Sequence, residues 1–154
     1  FRPRHVSGAD KATNVCPLCQ YPNDPAVQVW INNDTESNVA AIASDLERLC
    51  AAHSGHRLKA FVVDVNAGKR PAAAETSALN AIQSRAGLRR VALMFVTSGD
   101  LIAARDNQIN TDPAVKNTVV VYKKCKVAAK FVNLRADSPS MKTLDAAVAA
   151  ICAR

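Results

Sequence analysis

A chain of 154 residues, 49% hydrophobic and 21% charged, is long enough to bury one core; it has no low-complexity tract and no apolar run near the ~18 residues of a membrane helix. Disordered and helical transmembrane classes are thereby excluded. The formal net charge of +7 favours acidic partners, yet Lys and Arg are spread from Arg2 to Arg154 and aromatics make up only 5%, which leaves no stacking platforms for nucleic acid. The expected partner is a protein or larger assembly, with an anionic surface as a further option and no nucleic acid. Cys16, Cys19, Cys50, Cys125 and Cys152 are too few for a disulfide scaffold, and their odd number leaves a thiol unpaired in a monomer. The chain begins at Phe1 rather than Met, from which a mature, exported product, periplasmic or extracellular, is the expectation.

In chain order, Ala26 to Asn32 (AVQVWIN) is apolar and β-branched, bounded by Pro22-Asn23-Asp24-Pro25 and Asn33-Asp34, and predicts a buried strand. Val39, Ile42, Leu46, Leu49 and Cys50 recur at helical spacing, with Asp34 or Thr35 as cap, Glu36 at the positive end and Gly55 as the stop. Leu58 to Val65 predicts a second strand, and Ala72 to Arg85 a second helix with Leu79 and Ile82 inward and Gly87 at its end. Arg90 to Thr97 (RVALMFVT) is nearly continuous in apolar character, as a parallel strand covered on both faces should be. A short helical turn over Asp100 to Asp106 follows, capped by Ser98-Gly99-Asp100. Asn117 to Lys123 and Val127 to Leu134 are separated by too few residues for a crossover and predict an antiparallel hairpin. Ser138 or Ser140 caps a final helix, Met141 to Ala153, with Leu144, Val148 and Ile151 in line. The class is α/β with a mixed sheet: a βαβαβ unit, then a β-hairpin and a C-terminal helix.

That order, and the phrase NTVVVYKKCKVAAKFV, in which Cys125 holds a turn position often given to glycine, resemble the thioredoxin fold in its peroxiredoxin and redoxin branch. The opening His5-Val6-Ser7-Gly8 followed by Cys16-Pro17-Leu18-Cys19 is similar to uncharacterised bacterial thioredoxin-like proteins that begin with His-Val-Thr-Gly and Cys-x-x-Cys. The resemblance covers Ala26 to Arg154. It implies a three-layer α/β/α domain over residues 26–154, preceded by an arm, residues 1–25, and implies no cofactor. Thioredoxins carry their Cys-x-x-Cys directly after the first core strand, whereas this chain has Asn32-Asn33-Asp34-Thr35-Glu36-Ser37 there. Asn117 stands where the family's cis-proline is expected. Peroxidase or ordinary thioredoxin chemistry at that end of the sheet is therefore not expected.

Cys16 and Cys19 remain the most informative pair. Two cysteines two apart can form a small-ring redox disulfide, supply two thiolates to a metal, or pin the arm structurally. From Cys19 to Val27 the chain can reach roughly 26 Å, about a strand length, so either end of the sheet is accessible to the pair. A metal site would take Cys16, Cys19 and His5, but no second Cys-x-x-Cys and no His pair at finger spacing completes it. Taken singly, His5, His53 and His56 read as surface or loop residues. Cys50 and Cys152 fall on inner helix faces, while Cys125, in a turn between Lys124 and Lys126, is the expected exposed thiol, with its pKa lowered by those lysines. Asp64, Asp100 and Asp106 are dispersed and form no acid/base pair. The expected function is a non-peroxidatic binding or structural module; the alternative is a thiol-disulfide oxidoreductase, or a metal-holding protein, using the relocated Cys16-Cys19 pair.

Overall fold

The computed structural model describes residues 1–65, 70–96, 104 and 107–153. The helical turn expected over Asp100 to Asp106, with its cap, lies outside them except for Ala104. The described elements are β1 (Arg4–His5), α1 (Pro17–Gln20), β2 (Ala26–Ile31), α2 (Glu36–Ala52), a 3₁₀ turn (Ser54–His56), β3 (Lys59–Val65), α3 (Ala72–Ala86), β4 (Ala92–Val96), β5 (Asn117–Lys123), β6 (Lys126–Val132) and α4 (Ser138–Cys152). The strands form one six-stranded sheet in the order β1-β4-β3-β2-β5-β6.

β2, β3 and β4 run parallel; β5 pairs antiparallel with β2, β6 antiparallel with β5, and β1 antiparallel with β4. Because β2, β3 and β4 advance across the sheet in one direction, right-handed crossovers place α2 and α3 on the same face. There Ile42, Leu46, Leu79, Ile82, Leu144 and Val148 pack with Val27, Val29, Val62, Leu93 and Phe95. The opposite face, with Trp30, Phe61, Val63, Met94, Val120 and Tyr122, is covered by Phe1, Leu18 and Tyr21 together with Ala104 and Ile109. Every residue of β2 and β4 is buried, which is why both read as continuous apolar runs.

Two termini differ from the sequence expectation. α2 ends at Ala52, and the left-handed residue that turns the chain afterwards is Arg57 (φ 59°), with Gly55 inside the 3₁₀ turn. The cap of α4 is Asp137, whose carboxylate accepts the Ser140 N–H at 2.9 Å, so the helix begins at Ser138 and carries Pro139 in its first turn, where a missing N–H costs nothing. α1 and β1 were not predicted at all. At the other termini Thr35 caps α2 and Gly87 (φ 62°) ends α3, as expected. Lys124 and Cys125 both have positive φ, 53° and 57°, as a two-residue hairpin turn matching the strand twist requires.

The arm is joined to the sheet by main chain and by shape. β1 pairs with β4, Arg4 opposite Phe95 and His5 opposite Met94. Val6 and Ser7 both donate their N–H to Leu93 O, at 2.8 and 3.2 Å, and the buried Ser7 hydroxyl accepts the Leu93 N–H at 2.9 Å. Gly8 follows at φ +87°, where a Cβ would stand 2.8 Å from the Ala92 Cβ. A second clamp holds the approach to β4: the Glu47 carboxylate of α2 accepts the N–H groups of Arg89, Arg90 and Val91 at 3.0, 2.7 and 3.0 Å. Burial works to raise the Glu47 pKa, and these backbone bonds outweigh it, holding the carboxyl below its usual value of 4.5.

Gly8→Ala should cost roughly 2 kcal/mol, through its positive φ and the clash with Ala92, and should lower Tm by several degrees in a thermal scan, with proteolysis of the arm accelerated. Glu47→Gln should cost about 1–2 kcal/mol at pH 7. A depressed folded-state pKa contributes stability above the unfolded value and loses it as pH falls through the folded value, so denaturation curves of wild type and Glu47→Gln should draw together only as pH falls below 4.5 and on through the lowered folded-state value.

Candidate functional site

The two ends of the sheet differ in chemistry. At the carboxyl end of β2, where the N-terminus of α2 opens, the Asp34 carboxylate accepts the Thr35 N–H at 2.8 Å and the side-chain amides of Asn38, at 2.7 Å, and Asn117. Both amides also donate to Leu134 O, at 3.0 and 2.9 Å, and Asn117 Oδ1 accepts the Leu134 N–H at 2.9 Å. Asn117 is buried. The network ties β2, α2, β5 and the segment after β6 together, and no thiol lies within it.

The cysteines gather at the opposite end, beside the start of β2 and the β5–β6 turn. Cys16 caps the four-residue α1, its sulfur accepting the Cys19 N–H at 3.4 Å. Cys16 is half-buried and Cys19 exposed. Burial works to raise the Cys16 pKa, but hydrogen bonds from the Cys19 thiol and backbone N–H, with a smaller contribution from the Phe1 ammonium, bring it below the ordinary thiol value. The same thiol-thiol bond is the main influence that pushes Cys19 up, with burial adding to it. The pair is thus electrostatically unequal: Cys16 is the better thiolate and Cys19 the proton holder. Cys125, exposed in the hairpin turn, contacts Pro22 O through its sulfur at 3.6 Å and lies near enough for its charge to raise Cys19 further.

A cavity of about 170 Å³ opens over the sheet between Leu18 of α1 and Cys125 of the hairpin turn, lined also by Trp30, Val120, Tyr122 and Val127 among others. Its floor is a buried polar chain in which Trp30 Nε1 donates to Gln28 Oε1 at 3.1 Å and Gln28 Nε2 donates to the Tyr122 hydroxyl at 3.3 Å. Sequence reasoning missed this chain. Its signal was a glutamine in the middle of AVQVWI, since a buried amide must find partners.

His5 is a correction. It is not a surface or loop residue: 3% exposed, it lies in β1, and its Nε2 is 2.8 Å from Val15 O. A carbonyl only accepts, so Nε2 carries the proton, and the ring fixes the residue immediately before Cys16. Its N–H and C=O close a further loop with Thr13 and Ala12, both at 3.0 Å. Among the described residues no three His, Cys, Asp or Glu side chains converge to hold a metal ion. Cys50 and Cys152 are buried, and burial pushes the Cys50 thiol up to about 12.

This topology has known counterparts. Over 99% of this chain and 92% of the other, it superposes on the alkyl peroxide-reducing bacterioferritin comigratory protein of Xanthomonas campestris, with TM-score 0.68 and 12% identity. The fold is thioredoxin-like. A putative thiol:disulfide interchange protein DsbE from Chlorobium tepidum matches over 97% and 93% of the two chains, with TM-score 0.69 and 10% identity. BsSco, of the Sco family of cytochrome c oxidase assembly proteins, matches over 99% and 91%, with TM-score 0.67 and 12% identity. No protein-family profile and no curated protein matches the sequence. In this thioredoxin-like domain the segment between β2 and α2 is the Asp34 network, and Cys16 and Cys19 lie on the arm. No described helix is long and apolar enough to cross a membrane.

With iodoacetamide at neutral pH, Cys16 should be alkylated ahead of the other thiols, because its lowered pKa gives it the larger thiolate fraction, and Cys50 should stay unmodified until the protein is unfolded. Cys19→Ala removes the thiol that bonds Cys16, so the pH midpoint of Cys16 alkylation should rise, as read by peptide mapping across pH.

Proposed function

We propose that this protein carries out thiol-disulfide exchange through Cys16 and Cys19, outside the cytoplasm, in a thioredoxin-like domain whose site at the N-terminus of α2 no longer holds a thiol. The observation that carries the reading is the unequal pair: a half-buried Cys16 stabilised as thiolate by an exposed Cys19, on the short helix whose Leu18 lines an open cavity. Support also comes from the names of two neighbours, a putative thiol:disulfide interchange protein and a Sco protein described with a disulfide switch. An oxidising compartment, such as the periplasm, is where such a pair has disulfides to exchange with.

The step balances without a cofactor. The Cys16 thiolate attacks one sulfur of a substrate disulfide, forming a mixed disulfide and releasing one substrate thiolate, which takes up a proton. Cys19 loses its proton and attacks the Cys16 sulfur, releasing the second substrate thiolate and leaving a Cys16-Cys19 disulfide. Two thiols are oxidised and one disulfide is reduced; run in reverse, the protein is an oxidant. Tyr122, whose pKa burial raises, stays protonated throughout and adds no charge beneath the site. His5 acts as a positioning residue through Val15.

A second reading, a non-catalytic binding or assembly module, is favoured by the Asp34-Asn38-Asn117 network, which leaves the family's usual reaction centre without a nucleophile. A redox titration by alkylation and mass spectrometry separates the two. Exchange predicts a reversible Cys16-Cys19 midpoint between about −270 and −120 mV, and insulin reduction that is lost in Cys16→Ser. A disulfide resisting reduction below about −300 mV, or thiols that never couple, would leave the binding module.

A further inference from the structure

We propose that β6 is a docking strand for an extended acidic segment of a partner polypeptide, which adds to the sheet as a further strand. β6 is one of the two edges of the sheet. The other is β1, only two residues long, Arg4 and His5, paired with β4. Among the described residues the exposed large hydrophobic side chains are Val15, at 40%, and Val127 and Val132, at 63% and 54%, so two of the three lie on this one edge strand.

The strand's outer pattern selects the partner. A register shift between Val121 and Tyr122 brings Val127 opposite Tyr122, Lys130 opposite Val120 and Val132 opposite Thr118. Tyr122 and Val120 belong to the core on the arm's side of the sheet, so Val127, Lys130 and Val132 form one row there. An added strand presents every second residue to this row, and the best cross-strand match is apolar, acidic, apolar. The cavity beneath Val127 adds room for one apolar side chain of that strand at its Cys125 end.

Charge points the same way. From Asn117 to Leu134 the chain carries four lysines, Lys123, Lys124, Lys126 and Lys130, with no arginine and no acidic residue. Lys124 and Lys126 are exposed and take no carboxylate among the described residues, and Lys130 Nζ donates to Gln108 O at 2.6 Å. Lysines on an edge strand also discourage self-pairing, because two copies of β6 would bring like charges together. The exposed valine pair is what a merely protected edge would not carry, and an acidic partner satisfies both features at once.

The test is independent of the thiols. A short fluorescent peptide without cysteine, alternating valine and glutamate, is titrated into the full chain carrying Cys16→Ser and Cys19→Ser, and binding is read by anisotropy. The expected result is saturable binding that weakens about tenfold or more in Lys130→Glu and in Lys124→Glu/Lys126→Glu, and that is absent for the peptide with lysine in place of glutamate. The second variant changes lysines in the exposed turn region, so it reports even where Lys130→Glu loses its contact with Gln108. Equal binding of both peptides, no effect of either variant, or no saturable binding would overturn the proposal. So would wild-type self-association in sedimentation that the variants abolish, or binding confined to anionic lipid vesicles. Because no thiol takes part, failure here leaves the exchange reading standing, and loss of exchange leaves this one standing.

Discussion

The structure depends on the way the arm grips β4. Two backbone bonds into Leu93 O, the Ser7 hydroxyl on the Leu93 N–H and the close passage of Gly8 over Ala92 leave the first eight residues one path along the sheet. Ser7 offers a hydroxyl that both accepts and fits in a buried space, and Gly8 supplies a left-handed turn with no Cβ to collide. His5 then passes the constraint onward by holding Val15 O, so that Cys16 starts α1 at a fixed place. Together with Phe1, Leu18 and Tyr21, which pack against the sheet, that chain of contacts sets where the two cysteines stand.

The consequence is a division of labour between the ends of the sheet. At one end the N-terminus of α2 is sealed by Asp34 and two asparagines, with every named donor matched to an acceptor, which suits rigidity rather than turnover. At the other end Cys16 is half-buried, Cys19 and Cys125 are exposed, and Cys16 and Cys19 are unequal in pKa. A reactive thiol needs access and a stabilised thiolate, both of which occur at the arm and neither at α2. The scaffold is thioredoxin-like, and Cys16, Cys19 and Cys125 stand on the arm and the hairpin turn rather than at the N-terminus of α2.

Much of the scaffold was legible in the chain. β2, β4 and β5 are buried on both faces and so announce themselves as apolar runs, and α2 and α4 carry their stripes at helical spacing. The hairpin followed from the shortness of its connection, and Cys125 does hold a turn position of positive φ. What was illegible is local and short. β1 has two residues, Arg4 and His5, with no alternation to read, and its partner is nearly ninety positions away in β4. α1 is a single turn. Asp137, Ser138 and Ser140 all cap well by residue type, and only the geometry of the entering chain selects Asp137. His5 looked like a loop residue since a sequence does not say which polar side chain a backbone carbonyl will bury. The Cys16-Cys19 pair was visible, but its inequality was not, because that arises from which sulfur receives the N–H and which is exposed.

The central claim is that Cys16 on the arm is the attacking sulfur of this domain. It is tested most directly by trapping: Cys19→Ser is incubated with a disulfide-bearing protein, and the resulting mixed disulfide is located by peptide mapping. The account predicts an adduct through Cys16 that accumulates because no Cys19 thiol remains to resolve it. An adduct through Cys125, or none while the wild-type protein also leaves the substrate disulfide intact, would contradict it.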